Sequence, residues 1–250
     1  MHLDPTAATA GARLILYNTI GSTNAEALRL ARAGERGPLW IVARSQTAGR
    51  GRRGRTWVSE PGNLYASLLL TDPAPPRHFP ELSFVAALAL HDAVAGRIPG
   101  LATRLALKWP NDLLIDRNKF AGILVEGEGA AAVIGLGVNC AHHPAGTDYP
   151  ATDLAAAGLR AGADSLFAPL SAARVRRLAQ WSAGAGFAAV RADWLDRAAG
   201  VGKPLVVKSS GVDLSGQFVT IDETGRLVLR SADGTMQTVG AGDVFMMGNR

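Results

Sequence analysis

The chain has 250 residues, 48% of them hydrophobic and 19% charged, enough for one globular domain with a small appendage and a core that needs no covalent staples. Its single cysteine, Cys140, excludes an intramolecular disulfide framework; the N-terminal stretch has no signal-peptide pattern, and no apolar run approaches the ~18 residues of a spanning helix, so a cytoplasmic protein is expected. The net charge of +5 favours anionic partners without choosing among nucleic acid, nucleotides and acidic proteins.

In chain order, ARLILYN (12–18) reads as a strand that ends in the turn TIGSTN. STNAEALRLARAG then reads as a helix, with Ser22 or Thr23 as cap, Glu26 in the first turn and Gly34 at the close. PLWIVARSQ and NLYASLLL are two buried-strand candidates, separated by the arginine-rich TAGRGRRGRTW (47–57). ELSFVAALALHDAVAGRI has helical length and is apolar nearly all round, which predicts a helix lying against the core. RLALKWP, DLLI, KFAGILVEGEG and AAVIGLGVNC follow as short strands, with a hairpin at DRNK, Asp116 to Lys119. AHHPAGTDYPATDLAAAGLRAGAD has two prolines and little periodicity, so a long loop with room for a short helix is expected; such loops often serve as lids. SAARVRRLAQWSAGAGFAAVRADWLDRAA is helical, bent or broken around SAGAG. From Leu205 the chain is valine-rich and alternating, and Asp233-Gly234 marks a hairpin. About five short strands there predict a small β-barrel, and the whole reads as α+β with a mixed sheet.

Two cationic stretches carry the chemistry. Gly49, Gly51 and Gly54 spell G-x-G-x-x-G, but Arg50, Arg52, Arg53 and Arg55 crowd the run and no helix follows, so a dinucleotide-binding turn fails on context. A nucleic-acid patch and a solvated basic loop stay open. A third reading is an anion site: glycines let the backbone fold back, and guanidiniums converge on phosphate and carboxylate groups. In LKWPND, Lys108 ends an apolar strand before Trp109-Pro110; it is either a cation for the same anions or a lysine that snorkels to water. Asn111 and Asp112 read first as turn formers. His142-His143 has no third ligand at helical spacing and Pro144 follows, so a solvated loop is expected there. Cys140, Trp181 and Trp194 are expected in the core.

GSTNAEA, ARSQTAGRGRRGRTW, LKWPNDLLI, KFAGILVEGEG and VIGLGVN occur in the order and approximate spacing of biotin protein ligases, also called biotin–[acetyl-CoA-carboxylase] ligases. The chain resembles that family densely from about Thr19 to Asn139 and more faintly through the C-terminal module. The resemblance implies a class II synthetase-like catalytic domain over residues 1–200, a mixed β-sheet backed by helices, and a small SH3-like β-barrel over 201–250. It also implies that Ser22, Thr23 and Asn24 grip the biotin ring system, that Gln46 contacts biotin, and that Arg50, Gly51 and Arg52 close over biotin and the adenylate phosphate. Gly122, Ile123 and Leu124 are expected along the biotin tail. Lys108 matches the lysine that neutralises the reacting carboxylate and phosphate, so Arg52 and Lys108 form the expected catalytic pair. Around ATP the expected residues are Arg50, Arg52, Trp57, Lys108, Asn111, Lys119 and Asn139.

The implied reaction joins biotin to ATP as biotinyl-5′-AMP, then passes biotin to one lysine of a carrier. Biotin and ATP are substrates, Mg²⁺ is held mainly through the ATP phosphates, and no protein metal site is expected. The partner would be the biotin carboxyl carrier protein domain of acetyl-CoA carboxylase, with other biotin-dependent carboxylases as further candidates. Some relatives bind operator DNA through an N-terminal winged helix; fewer than twenty residues precede the motif region here, so no DNA binding is expected. No membrane partner is expected, and a homodimer is left open. No tryptophan after Asn139 is placed to cover the adenine; Tyr149 and Leu154 are unassigned alternatives. Two rivals remain: a lipoate–protein ligase-like enzyme, against which the arginine run and KWPND argue, and a nucleic-acid-binding module with salt-sensitive oligonucleotide affinity.

Overall fold

The computed structural model describes residues 1–97, 100–158, 162–209 and 212–246. Its centre is a seven-stranded mixed sheet. The strands are β1 (Arg13–Ile20), β2 (Leu39–Gln46), β3 (Leu64–Thr71), β4 (Leu105–Lys108), β5 (Asp112–Ile115), β6 (Asn118–Glu128) and β7 (Ala131–Val138). They lie in the order β1-β2-β3-β7-β6-β5-β4, with β1 and β2 parallel and every other pair antiparallel. The mixed sheet of the sequence reading is therefore present. The β5–β6 hairpin is the expected one at 116–119: Asp116 and Arg117 both have positive φ, 48° and 69°, the conformation that matches a two-residue turn to strand twist.

Alternation along the strands decides how each face is covered. Trp40, Val42, Leu68, Ile134 and Leu136 point into a large core with α3 (Leu82–Ala95) and α4 (Ala163–Trp181). The apolar surround predicted for α3 is real: eleven of its residues are buried. On the other face, Leu39, Ile41, Leu69, Ala131 and Val133 make a smaller core with Ala27 and Leu28 of α2 (Thr23–Arg32). That helix begins where Ser22, in extended conformation, accepts from Ala25 N, with Glu26 in the first turn. A short α1 (Pro5–Thr9), which the sequence reading did not separate from its tail, packs against α4 through Ala7.

The structure departs from the expected loop at 141–164. Helix α4 starts at Ala163, eight residues before the expected Ser171, and Pro169 lies inside it. A proline at this position removes the bond that would reach Ser165 O. Arg97 supplies a substitute, its Nη2 donating to Ser165 O at 2.9 Å. The predicted break near SAGAG is present: Ser182 and Ala183 take φ of 47° and 53°, and α5 (Phe187–Leu195) follows. Trp181 and Trp194 are buried as expected, and Trp181 Nε1 donates to Glu81 Oε2 at 2.6 Å.

The C-terminal strands β8 (Pro204–Ser209), β9 (Val212–Ile221), β10 (Leu227–Arg230), β11 (Met236–Val239) and β12 (Asp243–Met246) form one antiparallel sheet in the order β11-β10-β9-β8-β12. Among the described residues no ladder joins β11 to β12, so the predicted barrel is an open five-stranded sheet by its hydrogen bonds. The module is seated on the larger sheet's helices. Trp109 Nε1 donates to Gly225 O at 2.9 Å, Arg191 Nε donates to Ile221 O at 2.6 Å, and Phe84 packs edge-on against Phe187 and Trp194 beside Gly225.

Candidate active site

Helix α2 covers only part of its face of the sheet. The rest is the floor of a cleft of about 520 Å³, a volume suited to a small-molecule ligand. Every candidate residue lines it: Ser22, Thr23 and Asn24 from the start of α2, Gln46 from β2, Arg50, Gly51, Arg52 and Trp57 from the loop, Lys108 and Asn111 from the β4–β5 corner, Lys119, Gly122, Ile123 and Leu124 from β6, and Asn139 beyond β7.

At one end lies a polar cluster. Gln46 Oε1 accepts from Thr23 N at 2.8 Å and from Thr23 Oγ1 at 3.1 Å, and Gln46 Nε2 donates to Ser59 Oγ at 2.9 Å. Gln46 therefore positions the helix start as much as it faces the cleft. Ser67 Oγ donates its one hydrogen to Asn24 Oδ1 at 2.5 Å and lies 2.8 Å from Thr23 Oγ1, and Asn24 Nδ2 donates to Glu126 Oε2 at 2.8 Å. These bonds fix the direction of each donor and acceptor before any ligand enters, which is the pre-organisation a neutral polar ring needs.

The floor is bare. Gly122 on β6 pairs with Gly137 on β7, and Leu124 pairs with Gly135. A β-carbon on Gly137 would collide with the Trp57 indole, and one on Gly135 would collide with the Asn24 side chain. The Trp57 ring thus lies flat against backbone as a wall, and its buried Nε1 has no acceptor among the described residues.

At the other end the cleft is cationic. Lys108 is only 5% exposed, and its Nζ stands 3.4 Å from Asp112 Oδ2 and 4.0 Å from the centre of the Tyr149 ring. Lys119 Nζ lies 2.6 Å from Asp112 Oδ1, an ion pair without good hydrogen-bond alignment. Burial lowers the Lys108 ammonium below its ordinary value and Lys119 adds to this; Asp112 pulls the other way. Burial would raise the Asp112 carboxyl, but Lys119 and Lys108 outweigh it and hold it below the usual carboxylate range. One buried carboxylate is thus shared by two lysines, leaving a net positive corner.

The arginine loop is a hairpin. Arg50 bridges Thr56, Gly51 N donates to Arg55 O at 2.7 Å, and Trp57 N donates to Gly49 O at 2.9 Å. Of its glycines only Gly54 takes a positive φ, 72°, and Arg53 itself takes 55°. Gly49 serves closeness instead, since a side chain there would meet Trp57 O and Ser59 Oγ. Arg50 Nη2 sits 3.4 Å from Glu126 Oε2, while Arg52 Nη1 donates to Asn111 Oδ1 at 3.0 Å. Burial lowers the Arg52 guanidinium, with Asp243 and Asp112 opposing. Asn111 Nδ2 in turn donates to Ile123 O at 2.6 Å, so Asn111 holds Arg52 against β6.

Several lining residues escaped the sequence reading: Asp112 in its ion-pairing role, Gly135, Gly137, Asp243 and Phe245; of the two unassigned alternatives, Tyr149 lines the cleft. Glycines two apart in a strand, as in GLGV, are a sign of a bare patch on one face. Asp243 had no such signal. Asn139 reaches the cleft and also pins its far rim, donating from Nδ2 to Thr152 O at 3.1 Å. The two histidines are anchored, not merely solvated: His143 Nδ1 lies 2.6 Å from the buried Asp153 Oδ2, and His142 Nε2 lies 2.9 Å from Pro61 O. Cys140 is buried, and burial pushes its thiol up to about 12.

A mixed sheet bearing one cleft that is polar and neutral at one end and cationic at the other suits a ligase that brings two anions together, and comparison with known proteins agrees. Residues 18–139 match the Biotin/lipoate A/B protein ligase family, and residues 201–247 match the Biotin protein ligase C terminal domain. The chain is 42% identical to the biotin–[acetyl-CoA-carboxylase] ligase of Paracoccus denitrificans, over 91% of this chain and 98% of that one. It is 36% identical to the enzyme of the same name from Mycobacterium tuberculosis, over 90% and 85% of the two chains. Its fold is similar to that of the Aquifex aeolicus biotin protein ligase solved in complex with biotin and ATP, with a TM-score of 0.80, 24% identity, and coverage of 94% and 98%. The chain belongs to the biotin protein ligase family.

Proposed function

We infer that this protein is a biotin–[acetyl-CoA-carboxylase] ligase that works through biotinyl-5′-AMP. The observation that carries the reading is that Arg52 and Lys108, 56 positions apart in the chain, line one cleft with the helix start Ser22–Asn24. The Ser22–Asn24 end receives the biotin rings, and Gly122, Ile123 and Leu124 border the tail. The carboxylate then lies at the cationic end, where the ATP α-phosphate must also come. Two anions brought together repel each other, and pre-set cations in a dry site lower that barrier.

A biotin carboxylate oxygen attacks the α-phosphorus, the P–O bond to the β-phosphate breaks, and pyrophosphate leaves. Arg52 and Lys108 neutralise the charge that builds on the phosphoryl oxygens. Arg50, Lys119, Trp57, Asn111 and Asn139 border the nucleotide. Both Asp112 oxygens are already occupied by lysines, so Mg²⁺ is assigned to the ATP phosphates. In the second step the neutral ε-amine of a carrier lysine attacks the acyl carbon; AMP leaves and an amide remains. The acceptor is the biotin carboxyl carrier protein domain of acetyl-CoA carboxylase, in the cytoplasm. Residues 1–200 perform the chemistry, and residues 201–250 close the site from the side.

The test is biotin-dependent exchange of labelled pyrophosphate into ATP, run beside lipoate. Exchange with biotin alone is expected. Exchange with lipoate alone makes the protein a lipoate–protein ligase-like enzyme, and no exchange with either, together with salt-sensitive oligonucleotide binding, makes it a nucleic-acid-binding module.

A further inference from the structure

The four arginines of the loop are not equivalent, and what separates them comes from the C-terminal sheet. Asp243, the first residue of β12, accepts from Arg53 Nη1 at 3.3 Å and makes a short contact with Arg55 Nη2. Its neighbour Gly242 offers its carbonyl oxygen to Arg52 Nη1 and Nη2, both at 3.4 Å, and Lys208 O of β8 lies 3.5 Å from Arg53 Nη1. Arg53 and Arg55 are therefore consumed by a carboxylate. Among the described residues Arg52 hydrogen-bonds only neutral oxygens, of Asn111 and Gly242, and no carboxylate pairs with it directly, so its charge is left for an incoming anion.

We propose that Asp243 is a positioning residue that fastens the arginine loop to the C-terminal sheet, holding Arg52 over the cleft and the activated intermediate beneath it. The role in retention rests on the ligase reading above; the fastening itself does not. The loop has positive φ at Arg53 and Gly54 and no apolar side chain between Gly49 and Trp57, so little besides these polar contacts holds it down. An acyl-adenylate hydrolyses once water reaches it, and a loop that opens releases it as well. Asp243 holds its charge at neutral pH, because Arg55, with Arg52 and Arg53, outweighs the burial that would raise its carboxyl.

Two readouts test this. The loop carries four arginines within six residues, so trypsin reports on how firmly it is held. Asp243→Asn should be cut at the loop on the order of fivefold faster than wild type, the effect of losing two partly exposed ion pairs. Asp243→Glu should restore resistance, and raised salt should bring wild type towards the Asn variant. With biotin and ATP, Asp243→Asn should shed free biotinyl-adenylate faster by a similar factor, while Asp243→Glu retains it. Wild-type cutting rates in Asp243→Asn overturn the fastening. Faster cutting with wild-type retention of the adenylate overturns the assigned role. If Asp243→Asn fails to fold, Asp243→Ser carries the same two readouts, because it removes the carboxylate and leaves all four trypsin sites in place. Failure of wild type to form any adenylate sinks the ligase reading and leaves the trypsin result standing.

Discussion

Lys108 brings a positive charge into a place that water hardly reaches, and that alone demands a reason. Asp112 beside it supplies half of one: without that carboxylate, Lys108 and Lys119 would repel each other in a poorly solvated corner. The remaining positive charge is what an anion would neutralise. Lys108→Ala should therefore lower biotin-dependent pyrophosphate exchange by about 10²–10³-fold with an unchanged circular dichroism spectrum, the usual size of losing one charge-stabilising group. Asp112 also raises the Lys108 pKa against burial, so removing it must lower that pKa further. In Asp112→Asn the Lys108 cation is lost at lower pH, and the alkaline limb of the exchange profile should move down; an unmoved limb would detach Lys108 from the rate. Elsewhere the logic reverses. Arg174 is 7% exposed over the Trp40 ring, with Nε and Nη2 unpartnered among the described residues, and burial lowers it to about 10. Arg174→Met keeps the packing and removes the desolvated charge, so thermal melting should show a variant at least as stable as wild type. At this scale the sequence was informative where motif residues had unusual neighbours, as with Lys108 before Trp-Pro. It was silent for Asp243, whose meaning depends on arginines 188 and 190 positions away.

Among elements, local chemistry was legible and tertiary rescue was not. The Ser22 cap, the hairpin at Asp116-Arg117 and the break at Ser182-Ala183 follow from residue type within a few positions. The start of α4 was misplaced because a proline argues against a helix interior, and the group that answers it, Arg97, sits 68 residues from the carbonyl it serves. The helical layer carries a pH signature of its own. Arg177 joins Asp92 of α3 to Asp193 of α5, at 2.8 and 2.5 Å. Burial acts to raise Asp92, yet His91, with Nδ1 3.9 Å away, and Arg177, which donates to both carboxylate oxygens, together hold it down at about 2. A depressed carboxylate gives stability that is present above its ordinary value of 3.8 and lost as pH falls through about 2. The melting temperature of wild type should fall across that window, and Arg177→Gln should begin lower and fall less. Equal slopes would mean that this tie does not report on acid unfolding.

For the whole molecule, the mixed sheet and the appended strands could be read from apolar runs and turn residues, whereas strand order could not, because the pairing of β3 with β7 and the parallel β1–β2 pair are set by how the two faces are buried. No helix among the described residues is long and apolar enough to cross a membrane. A ligand that binds only the folded chain raises its stability by about 2.7 kcal/mol at a concentration of 100 times Kd. Biotin with ATP should therefore lift the melting temperature by roughly 5–10 °C for a chain of this size, and lipoate should not. The size of that lift has a structural origin. Helix α2 roofs one half of its side of the sheet; over the other half, where Trp57 rests against Gly122 and Gly137, the described residues leave an open cleft. The vitamin and its nucleotide would then be more than cargo: they would serve as the missing layer of the sandwich, so that the protein reaches its final architecture only while it is at work.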